Sequence, residues 1–311
     1  MGLLLYLAAS ALLGLLQVLP LAVVARLGRW GGGLAYWLDG RHRRVALRNL
    51  QLCFGAERAP ADLRRLAREN FRRIGENFAS AVRTAGMSHE ESRHILELAG
   101  AEKVQPTAEG GPRGCVVAIG HFGNFELYAH ASQFVPGFQF ATTYRALRQP
   151  ALDRLWQGLR RRSGCLYFER RTEGAALREA MNHQRLMIGF LTDQHAGDKG
   201  LRIPFFGHEC STTAAPAVFA LRYHCPLHPA FCFRVGLGRW RIEIQDAIPT
   251  HAQGHPRPVK DITLDINRAF EAAVRRDPAN WFWVHNRWKW VHARALNPPA
   301  PNRGPAADEP R

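Results

Sequence analysis

The chain has 311 residues, with 42 lysines and arginines against 26 aspartates and glutamates, which gives a formal charge of +16. Its 46% hydrophobic and 10% aromatic residues can bury a core large enough to offset the loss of chain entropy, so disorder of the whole chain is excluded. The six cysteines are scattered without a C-x-x-C pair. This pattern disfavours a disulfide scaffold or a structural zinc site and favours reduced, partly buried thiols.

The N-terminal segment, residues 1–25, contains no charged side chain. At about 1.5 Å per residue it is long enough to cross the roughly 30 Å hydrocarbon layer as a retained anchor. The arginines that follow it, beginning at Arg26, predict by the positive-inside rule that the rest of the chain is cytoplasmic. Because Gln17 and Pro20 interrupt the apolar run, a kinked helix lying in the membrane interface is the alternative.

Residues 26–112 are predicted to form a basic, helical, membrane-proximal region. Within it, Arg58–Arg73 places apolar residues at three- and four-residue spacing beneath an arginine-rich face. Such a helix either lies on anionic lipid or is an ordinary surface helix with a solvated basic face. At the other end of the chain, residues 297–311 contain five prolines and are predicted to be a loose tail.

Residues 113–296 alternate short apolar runs with helical periods, which predicts a single α/β domain with a largely buried sheet. The predicted strands are Cys115–Ile119, Phe138–Thr142, Leu186–Leu191, His228–Val235 and Arg239–Ile244. The predicted helices are Asn124–Gln133, Ala151–Ser163, Glu173–Gln184, Thr212–His224 and Asp261–Arg276. In such a domain, functional sites are expected at the carboxyl ends of strands. The glycine-rich signatures of nucleotide cradles and the G-x-S-x-G elbow of hydrolases are absent from the sequence.

The strongest local signal is the sequence GHFGNFE at 120–126, directly after the first predicted strand. His121 and Glu126 can meet only if the chain turns between them, which Gly123 permits and which Asn124 favours as an N-cap. The carboxylate of Glu126 would then accept a hydrogen bond from one ring nitrogen of His121 and leave the other as a general base. Because the motif contains no serine or cysteine, the base is expected to act directly on a bound hydroxyl.

Four further motifs follow GHFGNFE in the chain: Thr143–Arg145 with Pro150 and Asp153, Thr192–Gln194, Pro204–Gly207, and Trp283–Lys289. In order and spacing, the five motifs resemble the lipid A late acyltransferase family, the lauroyl- and myristoyl-transferring enzymes of lipopolysaccharide synthesis. The resemblance runs from the N-terminal segment to about His292. The sequence departs from the family pattern at 195–200, which is short and charged, and at Ala146, where many relatives have proline.

The resemblance implies a membrane-anchored enzyme on the cytoplasmic face of the inner membrane, with an α/β core similar to glycerol-phosphate acyltransferases. It implies transfer of a fatty acyl chain from acyl carrier protein, or less often coenzyme A, to a hydroxyl of a phosphorylated glycolipid, a lipid A precursor. By this resemblance His121 matches the catalytic base and Glu126 its partner. No cofactor and no metal ion are expected. The residues expected to bind substrate or stabilise the transition state are Arg145, Asp193, Asn124 and Arg287.

Elementary chemistry is consistent with these roles. Attack of a hydroxyl on a thioester generates an oxyanion, and Arg145 can stabilise it or bind the phosphopantetheine of the donor. Asp193 follows an apolar strand, where its carboxylate can orient Arg145 or a substrate hydroxyl, or simply cap the strand end. Arg154 and Arg160–Arg162 suit two anionic partners, an acidic carrier protein and a phosphorylated glycolipid, although a solvated basic face accounts for any one of them.

The segment 281–290 interleaves aromatic and basic residues, an arrangement that can stack single-stranded nucleic acid or lie at a bilayer interface. The uncharged N-terminal segment favours the interface, so no nucleic-acid partner is expected. Two other functions stay open. One is acyl transfer to another glycolipid such as a phosphatidylinositol mannoside, because the mannoside acyltransferases of actinobacteria share the His-x-x-x-x-acid pattern. The other is a non-catalytic basic protein that binds the membrane surface.

Overall fold

The computed structural model describes residues 2–104 and 114–289, with side chains from residue 6 onward. The predicted tail at 297–311 and Trp290 lie outside the described residues. The helices are α1 (Gly2–Val18), α2 (Leu21–Leu38), α3 (Gly40–Phe54), α4 (Pro60–Thr84), α5 (His89–Arg93), α6 (Pro150–Arg160), α7 (Gly174–His183), α8 (Ala215–Tyr223) and α9 (Val259–Arg276). The strands are β1 (Leu96–Ala99), β2 (Cys115–Ile119), β3 (Gln139–Tyr144), β4 (Leu166–Glu169), β5 (Leu186–Leu191), β6 (Leu201–Phe205), β7 (His208–Thr212), β8 (Leu227–Gly236), β9 (Arg239–Ile244), β10 (His251–Ala252) and β11 (His255–Pro256).

The apolar N-terminal segment forms two helices instead of the single helix predicted over 1–25. Pro20 has no N–H to donate to the preceding turn, so α1 ends at Val18 and α2 begins at Leu21. α2 then continues past residue 25 to Leu38. Across residues 2–104 and 114–289, no helix has both the length and the apolar character needed to span a bilayer. The predicted spanning helix is therefore unconfirmed.

A seven-stranded sheet forms the centre of a mixed α/β domain, as predicted. Its strand order is β1-β9-β8-β2-β5-β3-β4, and all neighbours are parallel except β8 and β9. The predicted bounds of β2, β5 and β9 are confirmed, and those of β3 and β8 differ by one or two residues. Continuous apolar runs predict such strands well because a parallel sheet is buried on both faces. The edge strands β1 and β4, four residues each, were missed.

The helix predicted over 124–133 is a 3-10 helix over Phe125–Phe134, here called the cavity helix. It lies on one face of the sheet, where its apolar side chains share a cluster with Val117, Ile119 and Met187. α7, α8 and α9 contribute to the apolar cluster on the opposite face. The sheet is therefore the middle layer of the domain, and the cavity helix is one of its coverings.

The residues 281–288, here called the aromatic segment, contain three buried tryptophans and a buried arginine, which corrects both the membrane-interface and the nucleic-acid interpretations. Trp281, Trp283 and Trp288 are 1%, 0% and 0% exposed. The segment has almost no sheet pairing of its own, so its buried carbonyl groups need other donors. Asn49 of α3 donates to the carbonyl oxygens of residues 283 and 285, and Asn70 of α4 donates to those of residues 279 and 281. These two amides hold the segment inside the domain.

Candidate active site

The site forms where β2 and β5 end side by side. The two strands are parallel and in register from Cys115 opposite Met187 to Ile119 opposite Leu191. His121 and Asp193 therefore stand at the same edge of the sheet, each two residues beyond its strand. A Cβ atom at Gly120 would lie 3.0 Å from the carboxyl carbon of Asp193 and closer still to a ring carbon of Phe270. Glycine at 120 is thus what allows the carboxylate to approach.

Asp193 is bound from three directions by hydrogen-bond donors. The backbone N–H of His121 and the indole N–H of Trp281 both donate to Oδ2, each at 2.9 Å. Nδ1 of His121 lies 2.9 Å from Oδ1. Burial by itself would raise the pKa of Asp193, but the charge of His121 and these hydrogen bonds outweigh it and lower that pKa below its ordinary value. Asp193 is therefore a buried, ionised acceptor.

This arrangement determines which nitrogen of His121 can act as a base. An ionised carboxylate only accepts hydrogen bonds, so Nδ1 must carry the proton that it shares with Asp193. Nε2 of the neutral ring then holds the free lone pair. Phe125 and Phe282 flank the ring, with centroids at 4.8 and 5.8 Å, which leaves it 18% exposed. The geometry suits proton abstraction from a group bound beside Nε2.

The hydrogen bond predicted between His121 and Glu126 is replaced by the one to Asp193. Glu126 instead accepts two hydrogen bonds from Arg160 of α6, one of them from Nε at 3.0 Å. The guanidinium of Arg160 also lies 5.4 and 5.2 Å from the ring centroids of Trp156 and Tyr167. Burial would lower the pKa of Arg160, but Glu126 more than compensates and raises it. The side chains of Arg160 and Glu126 are only 16% and 13% exposed. Arg160 is therefore already paired inside the domain, which corrects the prediction that it binds an external anionic partner.

The turn predicted at Gly123 is confirmed. Gly123 has φ = +63°, and a Cβ atom there would lie 2.0 Å from the carbonyl oxygen of residue 232. Asn124 precedes the cavity helix, but its side chain makes no cap hydrogen bond. It is 1% exposed, and neither Oδ1 nor Nδ2 has a hydrogen-bond partner among the described residues. A buried amide with two unpartnered atoms beside His121 is a candidate ligand-binding group.

Two spaces meet at His121. The first, here called the main cavity, has a volume of about 820 Å³ and extends from the edge of the sheet to the space beneath the cavity helix. The second, here called the side cleft, lies between α4 and the 120–126 turn. The residues that line the side cleft include His121, Asn124, Phe125, Trp156, Asn280 and Phe282. The ring of His121 therefore borders both spaces.

Arg145 and Arg287 occupy very different environments. Arg145 follows β3, is exposed and lines the mouth of the main cavity, without an ion pair to any described residue. Arg287 is fully buried, and its guanidinium donates to the carbonyl oxygens of Gln194 and Ser211 and to Oγ1 of Thr212. Burial lowers the pKa of Arg287. It holds the loop that carries Asp193 and is not among the residues that line the main cavity or the side cleft, so its role in binding substrate or stabilising the transition state stays a prediction.

Trp281, Asn49 and Asn70 are residues of the site that were missed at the sequence level. Trp281 lies 88 residues from Asp193, and its indole hydrogen bond leaves no local pattern. Two arginines were also missed as part of the cavity mouth, Arg170 and Arg178, both exposed. Arg145 and Arg170 lie at the same edge of the sheet because β3 and β4 pair in parallel and end there, whereas Arg178 comes from α7.

Comparison with known proteins identifies relatives over almost the whole chain. The model of the family described as bacterial lipid A biosynthesis acyltransferase matches residues 3–290. The chain is 22% identical over 274 residues to the lipid A biosynthesis palmitoleoyltransferase of Escherichia coli (strain K12), covering 87% of this chain and 86% of that protein. It has the same identity and coverage with the lipid A biosynthesis acyltransferase of Shigella flexneri.

Proposed function

The chain belongs to the bacterial lipid A biosynthesis acyltransferase family and is an acyltransferase. From this premise we propose that it transfers an acyl chain from a carrier-protein thioester to a hydroxyl of a lipid A precursor, with His121 as the general base that takes the proton of that hydroxyl. The observation that carries the proposal is the Nδ1 contact of 2.9 Å between His121 and the buried carboxylate of Asp193. It leaves Nε2 as the basic nitrogen, at the junction of the main cavity and the side cleft.

In the proposed reaction the acceptor hydroxyl attacks the thioester carbonyl while Nε2 of His121 takes its proton. The carbon–sulfur bond of the resulting tetrahedral intermediate then breaks. The thiolate of the carrier leaves and recovers the proton from His121, so the base is regenerated. Asp193 stabilises the protonated ring and holds its orientation in both steps, because its lowered pKa keeps it ionised.

We assign stabilisation of the oxyanion to Asn124. Its buried amide lines the side cleft beside His121 and has no partner among the described residues, so an oxyanion would satisfy an otherwise unmet donor. Arg145 suits a different task, since it is exposed at the mouth of the main cavity. Together with Arg170 and Arg178 it presents positive charge to the phosphate groups of the donor or of the glycolipid acceptor.

The ion pair between Glu126 and Arg160 is proposed to shape the site without touching the reacting atoms. It ties the start of the cavity helix to α6, across the wall that the main cavity and the side cleft share. Glu126 is therefore proposed as a positioning residue, in place of the direct partner of His121 that the motif suggested. The acidic carrier protein as donor is supported by the net charge of +16 and by the arginines at the mouth.

Membrane association is proposed to occur through α1 and α2. Most of the exposed large hydrophobic side chains of the described residues lie on these two helices: Tyr6, Leu7, Leu12, Leu15, Val18, Val23, Leu27, Trp30, Leu34, Trp37 and Leu38. An apolar surface of this extent is typical of a membrane or protein contact. α1 also packs against α6, whose Trp156 lines the side cleft. A lipid acceptor could thus reach His121 from the bilayer surface.

The test is transfer of a labelled acyl group from acyl carrier protein to a tetra-acylated lipid A precursor, with wild type and three variants side by side. His121→Ala and Asp193→Asn should each lower kcat by about 10² to 10⁴-fold, the range typical of positioned acid–base groups. Glu126→Gln should cost less, since its neutral amide can still accept hydrogen bonds from Arg160.

Arg268→Gln serves as a matched control for the loss of a charge, because this arginine is 67% exposed on α9. Undiminished transfer by a folded His121→Ala protein would refute the assigned base. A larger loss in Glu126→Gln than in Asp193→Asn would refute the proposed partner and restore the motif-based pairing.

A further inference from the structure

We propose that the deep part of the main cavity receives the hydrocarbon chain of the acyl donor, and that Gly189 determines the longest chain it accepts. The inference rests on the proposed acyl transfer and deepens it, because it assigns a determinant of acyl-chain length. Gly189 lies in the middle of β5 and lines the main cavity. The observations that carry the inference are the depth of this space, its apolar lining and the atom that a side chain at 189 would meet.

The face of the sheet beneath the cavity helix forms successive rows that lead away from His121. Ile119 and Leu191 form the first row, and Val117 and Gly189 the second. Met187 and Phe140, which pair between β5 and β3, form the third. From residue 191 to residue 187 the strand advances roughly 13 Å at about 3.3 Å per residue. This depth suits an extended alkyl chain whose reactive end stays beside His121.

The lining of this deep part is apolar, so it excludes polar ligands. Val117, Met187 and Phe140 all line it. Thr142 is the polar member of the second row, but its hydroxyl donates to the carbonyl oxygen of Gly189 at 2.8 Å and is thereby satisfied. A hydrocarbon chain is therefore the ligand that these surfaces favour.

The cavity helix leaves room above these rows because it presents small side chains. Ala129, Ala131 and Val135 of the helix and its C-cap line the space. Tyr128 anchors the helix by donating its hydroxyl to the carbonyl oxygen of Ala230 at 2.8 Å. The anchored cavity helix thus sets the width of the space, and the residues on the sheet determine how far an alkyl chain can enter.

Gly189 is not required by the backbone. It lies in a strand that pairs on both sides, with β2 and with β3, and it does not belong to the residues with positive φ. Glycine inside a central strand weakens the strand and often marks a close approach by a ligand or another chain. A Cβ atom there would lie 2.9 Å from Cδ1 of Ile119. The absent side chain lets Ile119 lie against the sheet, and any larger residue would push its δ-methyl into the cavity.

The test is competition between acyl carrier protein thioesters of increasing saturated chain length, offered together to the full-length enzyme with a lipid A precursor. Gly189→Ala and Gly189→Val should shift the preferred donor to progressively shorter chains. For each methylene group of a donor chain that no longer fits, the fraction of product carrying that chain should fall by about tenfold or more. Met187→Ala, which opens the third row, should shift the preference to longer chains. The ratio of products is independent of how much of a variant is folded.

Gly158→Ala is the matched control, because a Cβ atom at this position of α6 would meet no heavy atom within 4 Å outside the adjoining backbone of its own helix, and Gly158 does not line the main cavity. It should leave the chain-length profile unchanged. An unaltered profile in both Gly189 variants would overturn the inference while leaving the proposed function intact. Absence of transfer by wild type would instead count against the proposed function. In that case, the inference is tested by displacing a bound fluorescent fatty acid from wild type and the variants with fatty acids of the same chain lengths. The chain length that binds most tightly should become shorter in the Gly189 variants and longer in Met187→Ala.

Discussion

α2 and the aromatic segment both combine tryptophans with arginines, yet they have opposite environments. Trp30 and Trp37 on α2 are 71% and 61% exposed, whereas the three tryptophans of the aromatic segment are almost completely buried. Arg287, in the aromatic segment, is buried as well. Composition therefore does not decide which of the two segments enters the core.

The difference follows from where polar groups find partners. In the aromatic segment each indole N–H reaches an acceptor, Asp193 for Trp281 and the carbonyl oxygens of Pro278 and Phe205 for Trp283 and Trp288. Because these groups are satisfied inside the domain, their rings can be buried. α2 satisfies its own backbone and packs one face on α4, which leaves its other apolar face outside.

The largest expected effect is on stability, from removal of the buried charge that holds the aromatic segment. Arg287→Ala removes three hydrogen bonds to buried acceptors and the guanidinium that lies 5.4 Å from the ring centroid of Phe205. We expect the free energy of unfolding to fall by about 3 kcal/mol or more. Urea unfolding followed by tryptophan fluorescence measures it. Arg268→Ala, an exposed substitution, should change it by less than about 0.5 kcal/mol, and equal losses would contradict the proposed role of Arg287.

The next effect is on catalysis. Trp281→Phe keeps an aromatic ring against Phe205 and Trp288 but removes the hydrogen bond to Asp193. We expect kcat to fall about tenfold with little change in KM, since a hydrogen bond to a charged group contributes about 1.5 kcal/mol or more. Trp283→Phe is the control, because its indole donates to Pro278 instead. Equal kcat values for the two variants would show that the bond to Asp193 is unimportant.

A smaller effect concerns pH. Burial lowers the pKa of His285 to about 4, and Nε2 of this ring accepts a hydrogen bond from the backbone N–H of residue 195 at 3.0 Å. Between the unfolded value near 6.5 and pH 4, the unfolded chain binds a proton that the folded chain does not. The free energy of unfolding should therefore fall as pH falls through this window. His285→Gln should flatten that slope in urea unfolding, whereas the exposed substitution His255→Gln should not.

The smallest expected effect on stability is at α2. Trp30→Gln with Leu38→Gln should change the free energy of unfolding by less than about 1 kcal/mol in total, because both side chains are at least 71% exposed. The same double variant should bind anionic vesicles at least about tenfold more weakly, since burying such side chains in lipid contributes about 1.5 kcal/mol or more each. Sedimentation with vesicles measures the binding. Unchanged binding would show that the exposed apolar side chains of α2 do not contact the membrane.

Local pattern by itself determined much of this protein. The buried strands were predictable because their residues are continuously apolar, and the turn at Gly123 was predictable because glycine adopts positive φ without strain. His121 was singled out because its motif directly follows an apolar strand, and Asp193 because it matches a functionally important position of the family that the motifs resemble. The order of five motifs was enough to indicate the family that the comparisons then showed.

Only the tertiary structure decided how these parts meet. His121 had one acid five residues away and another 72 residues away, and the register between β2 and β5 brought the distant one to its ring. Glu126 instead accepts hydrogen bonds from Arg160 on a separate helix. The buried carbonyl groups of the aromatic segment found their donors in asparagines from α3 and α4, more than 200 residues earlier in the chain. Periodicity reports the local face of an element, whereas hydrogen-bond partners depend on which elements fold against each other.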